Sequence, residues 1–312
     1  MTRRPRRLVR PSVRGQAGPV SESPEQRLSG VMHAGDQAAW STAALVLALR
    51  GDAPPALVEA AREVVDRMGL DLAAVLAGGT PAATAAQAAA PLLQAAAVVR
   101  SGATAWAEQP DEALLAQGRA SGRGAAGFLR LASAAMPGLS EALDRPGARM
   151  LDVGTGVGGL AVACAETLPR LTVVGIDVLP RVLALAEQVR AASSAADRVV
   201  LRRQDVATLD EQDSYDLVWL PAPFLPQGAL LAAVPAVVRA LRPGGWVVIG
   251  HGKYGQDPLE DALNRFRTIA YGGSALDGTR ARELLTGAGL TSVSTPPTPL
   301  GSPGITVGRR SR

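Results

Sequence analysis

Apolar residues recur along this chain with two different periods, and the change falls near residue 147. Upstream, Leu57, Ala61, Val64, Val65 and Met68 stand at i, i+4, i+7, i+8 and i+11. Glu59, Arg62, Glu63, Asp66 and Arg67 fill the opposite side, so an amphipathic helix ending at Gly69 is predicted. Similar patterning predicts helices over 37–49, 82–99, 111–117 and 124–135, punctuated by Gly78–Gly79 and Pro110, with a break or kink at Pro91. Downstream, short apolar runs predict strands at Met150–Val153, Thr172–Ile176, Val199–Arg202, Leu217–Leu220 and Trp246–Ile249. Helices are predicted between them at Gly159–Leu168, Arg181–Arg190 and Leu230–Leu241, and beyond them at Leu259–Ala270 and Thr279–Ala288. Thr291–Thr295 and Gly304–Val307 would form a closing hairpin. Strand and helix in alternation specify an α/β fold: a doubly wound, mostly parallel sheet with helices on both faces.

The expected organisation is therefore a disordered basic tail over 1–29, a helical cap or dimerisation region over 30–145, an α/β domain over 146–308 and a basic end over 309–312. The 47% hydrophobic content excludes a wholly disordered chain. Cys164 is the single cysteine, which excludes a disulfide framework; with only His33 and His251 beside it, no metal site is expected. The longest weakly polar stretch, Pro81–Val99, is mostly alanine and carries Thr84, Gln87, Pro91 and Gln94, so no membrane span is expected and the location is read as cytoplasmic.

The pI of 9.9 invites a nucleic-acid reading until the charge is located. Residues 1–30 carry a net +5 and the last four residues +3; with a total of +4, the body between them is at −4. The positive charge thus sits at the two ends, and no specific nucleic-acid partner is expected.

The strongest local signal is Leu151-Asp152-Val153-Gly154-Thr155-Gly156-Val157-Gly158-Gly159, which follows a strand and opens a helix. Glycines there let a ligand approach the backbone, and the helix start offers N–H donors. Read as G-x-G-x-x-G through Gly154, Gly156 and Gly159, the turn fits a dinucleotide fold. Read as D-x-G-x-G-x-G through Asp152, Gly154, Gly156 and Gly158, it resembles motif I of class I S-adenosylmethionine-dependent methyltransferases. Asp177 ends the second strand, where both cofactor families place a ribose-binding carboxylate, so it does not discriminate. Asp205 does: it follows the third strand, where methyltransferases hold an acid beside the adenine amino group. Tyr215–Trp219 is similar to their fourth strand, and Leu241-Arg242-Pro243-Gly244-Gly245 to the turn into their fifth. Five matches in order are far more specific than one glycine loop.

The resemblance implies a seven-stranded Rossmann-like methyltransferase fold with S-adenosyl-L-methionine as cofactor. It implies that Asp152 supports the turn and the cofactor's amino-acid end, that Gly154, Gly156 and Gly158 pass the methionine moiety and ribose, and that Asp177 holds the ribose. Val178 would pack on adenine, Asp205 and Val206 would read its edge, and Thr155 and Leu220 complete the expected set. A cationic sulfonium also suits a carboxylate-bearing pocket, whereas a pyrophosphate does not.

The acceptor is less legible. After the fourth strand stands Leu220-Pro221-Ala222-Pro223-Phe224, without the Asn/Asp-Pro-Pro-Tyr/Phe found where nucleobase or amide nitrogens are methylated, and without a His-Asp-Trp base. His251, just past the fifth strand, is the candidate general base, with Tyr254 behind it; a solvated loop histidine is the plainer reading. Trp40 and Trp106 are read as core or subunit contacts, with a substrate lid as the alternative; Cys164 is read as a small buried residue, His33 as a helix-surface residue, and Gln117, Arg119 and Arg123 as a solvated connector, with the lining of the cofactor entrance as the alternative. The expected function is methyl transfer to O, N or activated C of a small organic acceptor, with a homodimer in view. A nucleic-acid methyltransferase, and a cofactor-binding protein without transfer activity, stay open as alternatives.

Overall fold

A computed structural model describes residues 23–76, 80–102, 106–255, 257–299 and 302–312. The Gly78–Gly79 punctuation and most of the basic tail lie outside them. The chain divides into two compact units, one ending at Ser41 and one over Thr42–Arg312. Helix α1, Pro24–Arg50, starts inside the expected tail because Ser23 and Gln26 form a reciprocal cap. Gln26 N donates to Ser23 Oγ at 3.2 Å, and Ser23 N donates to Gln26 Oε1 at 2.8 Å, with Pro24 at the first helical position.

In the larger unit, the end of α1 packs on α2 (Pro55–Arg67), and a short α3 (Leu72–Leu76) follows. The buried positions of α2 are Val58, Ala61 and Val65, while Leu57, Val64 and Met68 stay exposed. The predicted stripe is thus turned, because α1 covers only a narrow side of α2. Helix α4 (Pro81–Ser101) runs unbroken through Pro91, started by Thr80 Oγ1 accepting from Ala83 N. Among the described residues its Pro81–Arg100 span is long and apolar enough to cross a membrane by length and composition, with mean hydropathy 1.4, contrary to the sequence expectation. In this fold it lies against α5 (Asp111–Ala135), with Thr84 and Gln94 buried and hydrogen bonded.

The sheet has the order β3-β2-β1-β4-β5-β7-β6. Its strands are β1 Ala148–Val153, β2 Leu171–Asp177, β3 Val199–Arg203, β4 Tyr215–Pro221, β5 Leu241–His251, β6 Thr291–Ser294 and β7 Gly304–Arg309. The first five are parallel, and β7 enters antiparallel between β5 and β6. All five predicted strands and the hairpin fall on observed ones. Strand order reverses between β1 and β4, where an open α/β sheet leaves a crevice at its carboxyl edge.

Alternate side chains divide the core into two layers. Leu151, Val174, Val218, Leu220 and Ile249 meet α9 (Gln227–Ala240) and α11 (Gly278–Gly287). Met150, Val173, Leu217 and Val248 meet α5, α6 (Leu139–Leu143) and α7 (Gly159–Thr167), with Cys164 fully buried in α7. Helices α8 (Pro180–Ala191) and α10 (Pro258–Ala270) complete the set. The expected boundary at 145 therefore does not separate two bodies, since α5 and α6 supply one face of the sheet. Nor is the basic end a free tail. Arg310 N donates to Gly245 O at 2.9 Å, Gly244 N to Arg310 O at 3.0 Å, and the Arg310 guanidinium to Asp213 at 2.5 Å.

Candidate active site

The crevice at the carboxyl edge opens into a cavity of about 1380 Å³. The glycine turn forms its floor. Gly154 and Gly156 have φ of 62° and 58°, left-handed backbone that suits glycine. Thr155 fixes the turn from both sides: its N donates to Ile176 O at 3.0 Å and its Oγ1 to Asp152 Oδ2 at 2.7 Å. Asp177 Oδ2 accepts from Gly156 N at 3.0 Å and Oδ1 from Leu179 N at 2.9 Å, so β2 and the turn are locked together. Each of those oxygens retains acceptor capacity toward a ligand hydroxyl.

Electrostatics mark this floor. Asp152 is 2% exposed and Asp177 8%, and no basic side chain pairs with either among the described residues. Burial, aided by the neighbouring Asp177 charge, pushes the Asp152 carboxyl up to about 7. Burial likewise raises the Asp177 carboxyl, against the lowering effect of its backbone donors. A positively charged ligand placed beside this acid pair would favour its ionised form. Asp205 is exposed, and its Oδ1 accepts from Ala207 N at 2.9 Å, starting the short turn Val206–Thr208. Asp205, Val206 and Val178 line the far end of the cavity.

Helix α5 closes the near side. A Cβ on Gly159 would lie 1.9 Å from Gly118 O, and one on Gly118 would lie 2.0 Å from Val157 Cγ2. The Gly118-x-x-x-Gly122 spacing thus lets α5 lie directly on the glycine turn. The expected connector is a single helix, and Gln117 and Arg123 face the cavity from it. The remaining wall is aromatic. Phe224 stacks on Tyr271 with ring centres 5.1 Å apart; Trp106 meets both edge-on at 4.9 and 5.6 Å; Phe128 meets Trp219 at 5.2 Å. Trp106 lines the cavity and also packs on the buried cluster of Leu114, Val157 and Val182, while Trp40 stays 70% exposed. The proline loop is clamped, since Ser274 N donates to Ala222 O at 3.0 Å and Ser274 Oγ to Leu225 O at 2.7 Å.

Of the residues expected around a cofactor, Asp152, Gly154, Thr155, Gly156, Asp177, Val178, Asp205 and Val206 all line this one cavity. Three candidates do not. Leu220 is fully buried in the layer beneath α9, because its neighbours Trp219 and Pro221 hold the cavity-facing positions. Gly158, φ 75°, caps α7 and faces Ala186. His251 is 3% exposed within the β5–β7 seam, where Nδ1 donates to Gly252 O at 2.8 Å and Nε2 accepts from Thr306 Oγ1 at 2.9 Å. Both ring nitrogens are engaged, burial lowers its pKa, and it does not reach the cavity. Tyr254 lies outside it too, folded over Gly252. Sequence reasoning placed an apolar wall at the proline loop and gave Trp106 a substrate-side role only as an alternative; it missed Phe128, Trp219 and Tyr271 and the glycine contact, of which the four-residue glycine spacing was the available sign.

Residues 150–245 match the family described as a methyltransferase domain. A methyltransferase domain thus spans β1 to the start of β5. A release factor glutamine methyltransferase of Rhodopirellula baltica is 32% identical over 108 residues, covering 34% of this chain and 36% of that protein. The chain spans less than half the length of the first curated relatives it matches. Likeness of fold extends further. An O-methyltransferase family protein from Burkholderia thailandensis has a TM-score of 0.62 at 16% identity, covering 91% of this chain and 98% of that one. Human N-acetylserotonin methyltransferase, solved with its S-adenosylmethionine, has a TM-score of 0.54 at 18% identity, covering 95% and 100%. The likeness of fold thus extends beyond residues 150–245.

Proposed function

We propose that this protein transfers a methyl group from S-adenosylmethionine to a small organic acceptor. One observation carries the reading: the glycine turn, Asp177 and Asp205 open onto the same cavity as the aromatic wall of Trp106, Phe128, Trp219, Phe224 and Tyr271. Bound there, the cofactor would supply a methyl group already activated by a positively charged sulfur. Asp177 would hold its ribose, Val178 would pack on the adenine, Asp205 with Val206 would read the adenine edge, and Asp152 would balance the positive charge. Pro221, Phe224 and the clamped proline loop keep water from the acceptor side, and the rings orient a flat molecule by stacking. Among the described residues no histidine or lysine lines the cavity.

Transfer to O, N or activated C of a phenol, amine or enol is the expected outcome, read by incorporation of labelled methyl across a panel of such compounds. The relatives named for glutamine or tRNA adenine methylation supply the competing acceptors. The loop Leu220-Pro221-Ala222-Pro223-Phe224 lacks the polar residue that such nitrogens use. Labelled tRNA or release-factor peptide, with every small acceptor inert, would reverse the assignment.

A further inference from the structure

The cavity is electrically polarised, and only one pole belongs to the cofactor reading. Its carboxylates, Asp152, Asp177 and Asp205, all stand at the ends of β1, β2 and β3. Its guanidiniums, Arg123 and Arg130, both stand on α5, seven residues apart and so on one side of that helix. Among the described residues neither arginine has a carboxylate partner, although thirteen ion pairs join other arginines to acids. Arg123 is half-buried and Arg130 exposed, and a partly desolvated guanidinium gains most from an anion held by its planar fork.

The surrounding hydrogen bonds hold Arg123 without neutralising it. Nη1 donates to Thr84 Oγ1 of α4, and that hydroxyl donates onward to Thr80 O at 3.0 Å. A separate chain of hydrogen bonds runs from Tyr271 through α4 to α5. Tyr271 OH donates to Gln94 Oε1 at 2.6 Å, Gln94 Nε2 to Gln117 Oε1 at 2.9 Å, and Gln117 Nε2 to Ser121 Oγ at 3.3 Å. Position on α5 also separates this arginine from the cofactor floor. Gly118 and Gly122 face Val157 and Gly159, and residue 123 is rotated by about 100° from residue 122. That rotation brings it to Thr84 on α4.

We infer that Arg123, supported by Arg130, seats a carboxylate of the methyl acceptor, so that the substrates of this site are acidic, ring-bearing molecules. The inference rests on the methyltransferase reading. Its test uses matched pairs: hydroxybenzoate, hydroxycinnamate and hydroxynaphthoate, each beside its neutral carboxamide, titrated into full-length protein saturated with S-adenosylhomocysteine. At least one carboxylate should bind tenfold or more tighter than its amide. Arg123→Gln should remove that preference while changing S-adenosylhomocysteine affinity by less than twofold, and Arg123→Lys should restore part of it. Equal binding within every pair, or binding by no member of any pair, overturns the seat. Loss of S-adenosylhomocysteine affinity in Arg123→Gln with the acid preference intact overturns it as well, by giving the arginine to the cofactor's own carboxylate. If S-adenosylhomocysteine fails to bind the unmodified protein, the methyltransferase reading fails first, and that result is separate from the other three.

Discussion

Asp152 concentrates the chemistry of this site in one titration. Its carboxyl sits near 7 in the folded chain against an ordinary 3.8, so the folded protein keeps a proton that the unfolded chain releases. Stability from this group is therefore present below pH 4 and lost as pH rises toward 7. A cationic ligand reverses the preference by favouring the ionised form. Binding of S-adenosylmethionine at pH 6 should release close to one proton, and affinity should rise with pH and level off above about 7. Calorimetry in two buffers of different ionisation enthalpy measures the proton directly; zero release would show that Asp152 does not feel the bound charge. His251 makes the opposite case. His251→Gln should leave the turnover rate and its pH dependence unchanged while costing about 1–2 kcal/mol of stability through lost hydrogen bonds; a hundredfold fall in turnover would return it to the chemistry. At this scale the motif residues were legible because the turn requires glycine and the acids stand at strand ends. Leu220 and His251 were not. Position at the carboxyl edge is visible in sequence, but the side to which a side chain points depends on strand pairing, which set Trp219 toward the cavity and His251 into the seam.

At the scale of elements, α5 decides how the cavity is closed. Gly118 and Gly122 read as a break between helices over 111–117 and 124–135 because glycine costs about 1 kcal/mol in a helix interior. Tertiary contact overrides that cost: without side chains at 118 and 122 the helix reaches the backbone of Gly159. Gly159→Ala should therefore destabilise the protein by about 1–3 kcal/mol and weaken cofactor binding, since its Cβ would meet the Gly118 carbonyl. Gly124→Ala meets nothing within 4 Å and should stabilise by about 0.5–1 kcal/mol. Thermal unfolding of the two variants checks the contrast; equal shifts would mean that α5 does not press on the turn. Periodicity could show that α5 and α6 carry apolar faces but not what covers them. The sheet covers them, which is why a boundary near 145 looked natural in sequence and is absent from the fold.

For the whole molecule, the charge that sets the basic pI divides into a docked part and an undocked question. The C-terminal arginines are structural: Arg309 lies 5.4 Å over the Trp246 ring, and Arg310 binds Asp213 and the Gly244–Gly245 backbone. Removing Arg310–Arg312 should lower the unfolding temperature, whereas a chain beginning at Ser23 should unfold as the full chain does and lose weak, salt-sensitive retention on DNA. Filter binding and thermal unfolding of the two truncations check this, and unchanged retention by the chain beginning at Ser23 would place DNA binding in the folded body. The central claim concerns the cavity floor, and calorimetric titration with S-adenosylhomocysteine and with NAD tests it most directly. The account predicts one saturable S-adenosylhomocysteine site, weakened by about 1.5–3 kcal/mol in Asp177→Ala, and no NAD binding; tight NAD binding with no response to S-adenosylhomocysteine would contradict it.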